Sequence, residues 1–324
     1  MNRPLPALDL PPVGMTAEAR IEMATRCRDA DALPRVPGAG QVVDVSGTPI
    51  QVMHNGIHVL AGGYYGGWMS DLIRRCRGVH EPQEEPVFAE VLRHMRPGAA
   101  MIELGAFWAF YALWFLQGDP ARRAILLEPD PNHIAVGARN VQLNRHWLDP
   151  ARLIVRQGFA GAGDGGPQSF ATETAGVLDL PQMTVPQLMA EAGLERLDLV
   201  HCDVQGHEAH VLAQCMDLFR DGAIRFAMIS THSHHISGDP LTHQRCLALI
   251  EEAGGRVLAQ HDVHESFSGD GLIAAYFGRE ALDWRAPPMS YNRSGASLFR
   301  HPLYDLAEAE ARCAALAAEL AAKG

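Results

Sequence analysis

The stretch Met101-Ile102-Glu103-Leu104-Gly105-Ala106-Phe107-Trp108-Ala109-Phe110-Tyr111 decides how the rest of the chain is read. Ala100 to Leu104 is apolar apart from Glu103 and reads as a short buried strand. Gly105 reads as a tight turn, and a helix is expected from Trp108 to Gln117. A lone acid at the carboxyl end of a buried strand is costly to desolvate unless something pairs with it. In open α/β sheets that end is where ligands bind. A glycine at the turn lets the backbone bend sharply and a ligand come close. The segment therefore reads as the floor of a small-molecule site.

Moving outward, Arg123 to Leu127 is a second apolar strand that ends at Glu128-Pro129-Asp130-Pro131. Glu128 follows Glu103 by 25 positions. That is near the spacing at which a second-strand acid reaches a ribose hydroxyl in dinucleotide-type folds. A helix from Asn132 to about Asn144 follows. Leu153 to Arg156 is a third strand, ending at Gln157-Gly158-Phe159, with a glycine-rich loop from Gly161 to Gly166. A short strand or turn near Val177 to Met183 and a helix from Val185 to Ala192 precede the fourth strand. That strand, Leu197 to Cys202, ends at Asp203-Val204-Gln205-Gly206-His207-Glu208, and a helix to about Asp217 leaves from it. Phe226 to Ser230 is the fifth, ending at Thr231-His232-Ser233-His234-His235. The helix Thr242 to Ala253 leads to a sixth strand, Arg256 to Gln260. The seventh, Leu272 to Phe277, is entered through Asp270-Gly271. This alternation predicts an α/β fold with a doubly wound, seven-stranded, mostly parallel sheet. The last two strands have no helix between them and are expected to pair antiparallel.

Residues 1–77 read as an amino-terminal extension: a proline-rich arm, a helix at about Thr16 to Ala32, a hairpin from Gln41 to Leu60, and the aromatic loop Gly62 to Trp68. Paired glycines around aromatics suggest a loop lying over something flat. His80 to Pro86 precedes a helix from Val87 to Met95, with the acids Glu84 and Glu85 suited to its amino end. Residues 78–280 form the main domain, and 281–324 a tail with an alanine-rich helix, Leu303 to Lys323. Leu306, Cys313 and Leu320 recur seven apart in it. That pattern fits docking on the chain's own body or a homo-oligomer contact.

The net charge of -11 argues against nucleic acid or an anionic membrane as the main partner, because both call for a basic face. Six cysteines without a CxxC pair read as reduced thiols. The proline-rich start is unlike a signal peptide, and no run is long enough to span a bilayer. A cytoplasmic location is expected.

Four segments resemble the S-adenosylmethionine-dependent methyltransferases, and within them the FkbM-type family of mostly O-methyltransferases. Ile102-Glu103-Leu104-Gly105-Ala106 is similar to the family's first motif. Glu128-Pro129-Asp130-Pro131 with Arg139-Asn140 and Asn144 resembles its ribose-binding strand end and helix. Leu197 to Glu208 resembles its most distinctive segment, and Asp270-Gly271-Leu272-Ile273 the entry to its last strand. His80-Glu81-Pro82 resembles the element before the first strand. The similarity spans about residues 78–278. It implies S-adenosylmethionine as cofactor and a small-molecule acceptor, a sugar or secondary metabolite. It places Glu103 and Gly105 under the methionine part, Glu128 on the ribose hydroxyls, Gln157, Gly158 and Phe159 beside the adenine, and Asp203 at the mouth. Glu81, Ala106, Phe107 and Pro129 join the implied cofactor-binding set. Three positions depart from the family pattern. Phe107 stands where asparagine is usual, Ala109 where a glycine is usual, and Gln205 where an acid is usual. They imply either a modified pocket or a domain without catalysis.

Methylating a hydroxyl requires removal of a proton, which calls for a base poised near neutral pH, and histidine fits. His207 and His232 follow neighbouring strand ends beside Asp203. Either imidazole is a candidate base, with Asp203 orienting it or the acceptor. The same three residues also suit a divalent metal, or plain surface hydrogen bonding. Trp108, Phe110 and Tyr111 suit either a sulfonium or the core. Two other classes stay open: a non-catalytic binding or assembly module, and a nicotinamide-dependent oxidoreductase. The second is disfavoured because Gly105 lacks the partners of GxGxxG.

Overall fold

The structure is a computed structural model that describes residues 16–161 and 166–292 and isolated positions between 310 and 321. Its main sheet has seven strands: β1 (Ala100–Leu104), β2 (Arg123–Glu128), β3 (Leu153–Gln157), β4 (Leu197–Cys202), β5 (Ile224–Thr231), β6 (Arg256–His261) and β7 (Gly271–Tyr276). Their order across the sheet is β6-β7-β5-β4-β1-β2-β3. All neighbours are parallel except β7, which runs antiparallel to both β5 and β6. The expected doubly wound α/β sheet with an antiparallel last hairpin is therefore present.

Both faces of the sheet are covered, which is why the central strands read as continuous apolar runs. Alternation sends Met101, Leu199, Phe226 and Met228 to one side. There they meet α1 (Glu84–Arg93) and α2 (Phe110–Gln117). Ile102, Leu104, Val200, Cys202, Ala227 and Ile229 face the other side. That layer holds α4 (Val185–Glu191), α5 (Glu208–Gln214) and α6 (Thr242–Glu252), while α3 (Pro131–Leu143) follows β2. Every residue of α2 from Phe110 to Leu116 is buried, as expected of a helix that is apolar all round.

The helix expected from Trp108 starts at Phe110 instead. Ala109 sits in the left-handed region at φ 63°, ψ 26° and interrupts the turn. It has no side chain able to cap. The orphan N–H of Ala112 is taken up from below by Glu103, whose Oε2 accepts it at 3.1 Å.

In the amino-terminal region the hairpin becomes a three-stranded sheet, Val42–Val45, Thr48–Val52 and His58–Leu60. The third strand uses two side chains of α3 as its next neighbour. Asn140 Oδ1 accepts from Leu60 N at 2.8 Å and Asn144 Oδ1 from His58 N at 3.1 Å. Asn144 Nδ2 donates to His58 O, and Asn140 Nδ2 to Trp108 O. Both asparagines are fully buried. Unpaired edge groups in such a place would cost about 1–3 kcal/mol each. The asparagines resembling a ribose-binding helix thus fasten the extension to the main sheet.

A second small sheet pairs Val177–Met183 with Phe159–Ala160 and with Pro167–Ala171. The last of these strands lies next to the glycine-rich loop and carries no apolar alternation that sequence could show. Positions 162–165 of that loop and most of the tail helix Leu303 to Lys323, with its oligomer contact, lie outside the described residues. No helix among the described residues is long and apolar enough to cross a membrane.

Candidate functional site

Sheet order reverses between β1 and β4, and the chain opens there into a cavity of about 570 Å³. Gly105 makes the switch possible. Its φ is +76°, and a Cβ built on it would lie 1.7 Å from the carbonyl oxygen of Asp203. The end of β1 is tied to both neighbours, to β4 by Asp203 N donating to Leu104 O and to β2 by Gly105 N donating to Leu127 O, both at 2.9 Å.

Glu103 and Glu128 both line this cavity. Glu103 is buried on the face of β1 that looks toward α2. Burial pushes its carboxyl up to about 8; His201 and the Ala112 N–H pull it back, and the charges of Asp203 and Glu128 raise it again. Glu128 is buried at the tip of β2. Its Oε2 accepts from Phe107 N at 3.0 Å and its Oε1 from Asp130 N at 3.0 Å, with His133 Nδ1 at 3.3 Å. A carboxylate has about four acceptor positions, so one place stays open toward the cavity.

Gly105, Ala106, Phe107, Pro129, Gly158, Phe159, Glu81 and Asp203 also line the cavity. Gln157 does not. It is exposed, and its Nε2 donates to Pro129 O at 3.2 Å. Strand β3 ends at Gln157, and the chain beyond it, Gly158 and Phe159, turns to the cavity. Phe159 stacks on Phe170 from the small sheet, at 4.4 Å between centroids.

The three departures from the family pattern share a backbone property. Phe107, Ala109 and Gln205 all adopt positive φ, at 33°, 63° and 52°. Glycine and asparagine enter this region readily, whereas other residues pay roughly 1–3 kcal/mol apiece. The usual asparagine and glycine are therefore the unstrained choices at 107 and 109. This chain keeps the conformation without them. Phe107 is held by its ring, which stacks on His133 at 3.5 Å and 10° and meets Tyr64 and Tyr65 at its edges. Tyr64 in turn lies flat on Trp108, at 4.4 Å and 9°, so the aromatic loop does cover something flat. Trp108 and Tyr111 reach the cavity wall, while Phe110 belongs to the core.

At the mouth, His232 is gripped from both sides. Its Nδ1 lies 2.7 Å from Glu208 Oε1 and its Nε2 lies 3.2 Å from Asp203 Oδ1, with Asp270 Oδ1 at 3.6 Å. Burial alone would lower the imidazole's pKa, but Asp270, Asp203 and Glu208 together hold it well above the usual value. These neighbours favour the protonated imidazole, which would have to lose its proton before acting as a base. Asp203 beside it is half-exposed and lines the cavity. His207 is exposed on the rim. Among the described residues no group of three or more His, Cys, Asp or Glu side chains is arranged to hold a metal ion. The combination of Asp203, His207 and His232 as ligands has no geometric support.

A second buried network was not foreseen. Glu84 and Glu85 do not decorate the helix start but turn inward. Glu84 Oε1 lies 3.0 Å from His201 Nε2, and Ser230 Oγ donates to Glu84 Oε2 at 3.2 Å. Glu85 Oε1 lies 2.7 Å from His80 Nδ1, and its Oε2 lies 3.1 Å from His54 Nε2. Tyr111 Oη donates to Glu81 Oε2 at 2.8 Å. Burial raises the Glu85 carboxyl, yet the flanking imidazoles outweigh it and bring it to about 2. Burial similarly fails to lower His80, which Glu81 and Glu85 lift to about 10. The signal available in sequence was His201 inside the apolar run Leu197 to Cys202, a polar residue in a buried strand like Glu103.

Comparison with known proteins gives the same family as the motifs. No curated protein matches the chain. Among solved structures, an O-methyltransferase from Bacillus cereus in complex with SAH shares 16% identity, covering 59% of this chain and 77% of that one, with a TM-score of 0.38. TrmK of M. capricolum, in complex with S-adenosyl-homocysteine, shares 10% identity over 61% of this chain and 71% of that one, with a TM-score of 0.37. The model of the methyltransferase FkbM domain matches residues 87–257, more than half of the chain. The chain belongs to the FkbM methyltransferase family.

Proposed function

We propose that the cavity binds S-adenosylmethionine and that the protein methylates a hydroxyl of a small molecule, a sugar or secondary metabolite. The observation that carries this reading is the placement of Glu103 and Glu128 on one open cavity at the switch point, with space rather than packed side chains between them. The donor set fits such a ligand. The wall carries the acids Glu81, Glu103, Glu128, Asp130, Glu173, Asp203 and Asp270 against a single arginine, which suits a sulfonium and an ammonium. Glu128 is placed to receive ribose hydroxyls, Gly158, Phe159 and Phe170 to flank an adenine, and Glu103 with Ala106 to hold the amino-acid end.

S-adenosylmethionine, when bound, supplies an electrophilic methyl on a positively charged sulfur. The protein's own part is to hold the acceptor in line, which accounts for most of the acceleration in such displacements. Asp203 takes the proton that the hydroxyl loses. His232, locked by Glu208 from behind, keeps the Asp203 carboxylate oriented and charged.

Calorimetric titration with S-adenosylmethionine, S-adenosylhomocysteine and NAD tests the reading. The first two are expected to bind and NAD is not. Burial pushes the Glu103 carboxyl up to about 8, which favours its protonated form at neutral pH. A cationic ligand favours the carboxylate, so binding of S-adenosylmethionine at neutral pH is expected to release a proton and to tighten as pH rises toward 8. Titrations in two buffers of different ionisation enthalpy measure that release. Binding of NAD alone, or of none of the three, contradicts the reading.

A further inference from the structure

The cavity wall divides by origin. The span shared with the family, residues 87–257, supplies Glu103, Gly105, Glu128, Gly158 and Asp203. That span supplies most of the wall, and stretches outside it complete it. Arg20 reaches in from the helix Ala17–Ala24, Trp68, Met69 and Leu72 from the helix Gly67–Arg75, and Ser268 to Asp270 from the approach to β7. Parts of the wall that the family core does not provide are the parts free to choose an acceptor.

Arg20 stands out among them. It is the only arginine or lysine on the wall among the described residues. Its guanidinium carbon sits 5.3 Å above the Trp68 ring, and Nη2 donates to Ser268 O at 3.1 Å. These two contacts fix the head group in place. Its Nε is nonetheless buried without a hydrogen-bond partner. Among the described residues no carboxylate forms an ion pair with Arg20; Asp270 feels its charge from farther off. A buried, charged donor left unpaired is expensive, and native structures rarely leave one without a reason. Nε itself is shielded, but the guanidinium as a whole lies on the cavity wall without a paired carboxylate among the described residues, and an anionic group that arrives with a ligand would supply its counter-charge.

We propose that Arg20 anchors the acceptor and that the acceptor is a hydroxylated carboxylic acid, its carboxylate received by Arg20 while its hydroxyl faces Asp203. This rests on reading the cavity as a methyl-transfer site. The guanidinium is planar and permanently charged, and its remaining N–H groups suit a carboxylate. The ionised acids elsewhere on the wall repel an acid, which favours the orientation with its carboxylate at Arg20. Arg20 would thereby choose which hydroxyl is presented. Trp68, Met69 and Leu72 supply apolar contact for the carbon skeleton between the two ends.

The test uses the full chain and a panel of phenolic and aliphatic hydroxy acids, each paired with its own primary amide. Binding is followed by ligand-observed NMR, with and without S-adenosylhomocysteine. The wild type is expected to favour acids over amides by roughly tenfold or more. In Arg20→Gln the preference is expected to vanish while S-adenosylhomocysteine binds as before. Arg20→Lys keeps the charge without the planar fork and is expected to recover part of it. Equal binding of acids and amides by the wild type overturns the proposal, and so does an acid preference that survives in Arg20→Gln. Failure of S-adenosylhomocysteine to bind the wild type is a separate result that strikes the cofactor reading. The acid preference measured without the nucleoside is judged independently of it.

Discussion

Gly105→Ala is expected to lose at least about 3 kcal/mol of stability, as overpacking against backbone adds to left-handed strain, and with it all binding of S-adenosylhomocysteine. The added Cβ would meet the Asp203 carbonyl oxygen at 1.7 Å and its carbon at 2.8 Å, both backbone atoms that no rotamer change can move. A methyl group at φ +76° adds the left-handed strain. Relief requires β1 and β4 to part at the point where the cavity opens. The hydrogen bond from Asp203 N to Leu104 O resists that, while Gly105 N is held to Leu127 O of β2 on the other side. Urea unfolding and calorimetry on the same preparation measure both losses. A variant that folds and binds like the wild type would show that the switch point is not as tight as described.

Asp203→Asn is expected to lower kcat by about 10²–10⁴, the usual range for a lost general base, while changing affinity for S-adenosylhomocysteine far less. The amide keeps the shape and loses the capacity to accept a proton. A second readout separates this from loss of geometry. The raised pKa of His232 means that its contribution to stability is full below the unfolded value near 6.5 and is lost as pH rises through the raised folded value. Removing the Asp203 charge brings that folded value down. The alkaline loss of stability in Asp203→Asn is therefore expected at lower pH than in the wild type, as followed by thermal melts across pH. An unchanged kcat assigns the proton to another group.

Much of this arrangement was legible from the chain alone, and the reason is physical. Strands buried on both faces leave long apolar runs, so β1, β2, β4 and β5 were visible with ends within a few residues. A charged residue in such a run has to face something polar, which made Glu103 and Glu128 stand out. The same logic applied to His201 would have reached the inner network, yet Glu84 and Glu85 at a helix start look identical whether they face water or histidine. Orientation was the other gap. Gln157 and Gly158 are adjacent, and sequence does not show that β3 ends between them and that the chain turns to the cavity only beyond that point. The acids packed around His232 could not be counted from sequence, because Asp270 comes from a distant segment. Asn140 and Asn144 resembled a ligand-binding helix because a ribose and a strand edge ask for the same hydrogen bonds. Arg20 could not be found at all, since nothing near it in the chain reveals that a distant helix returns to the cavity.

The most direct test of the central claim is a crystal structure grown with S-adenosylhomocysteine. The expected electron density is one adenosyl ligand spanning Glu103 and Glu128, with ribose hydroxyls on Glu128, the adenine against Gly158 and Phe159, and the amino-acid end over Gly105. Density for the nucleoside anywhere else on the molecule, or side chains collapsed into the space between those two carboxylates, would contradict it.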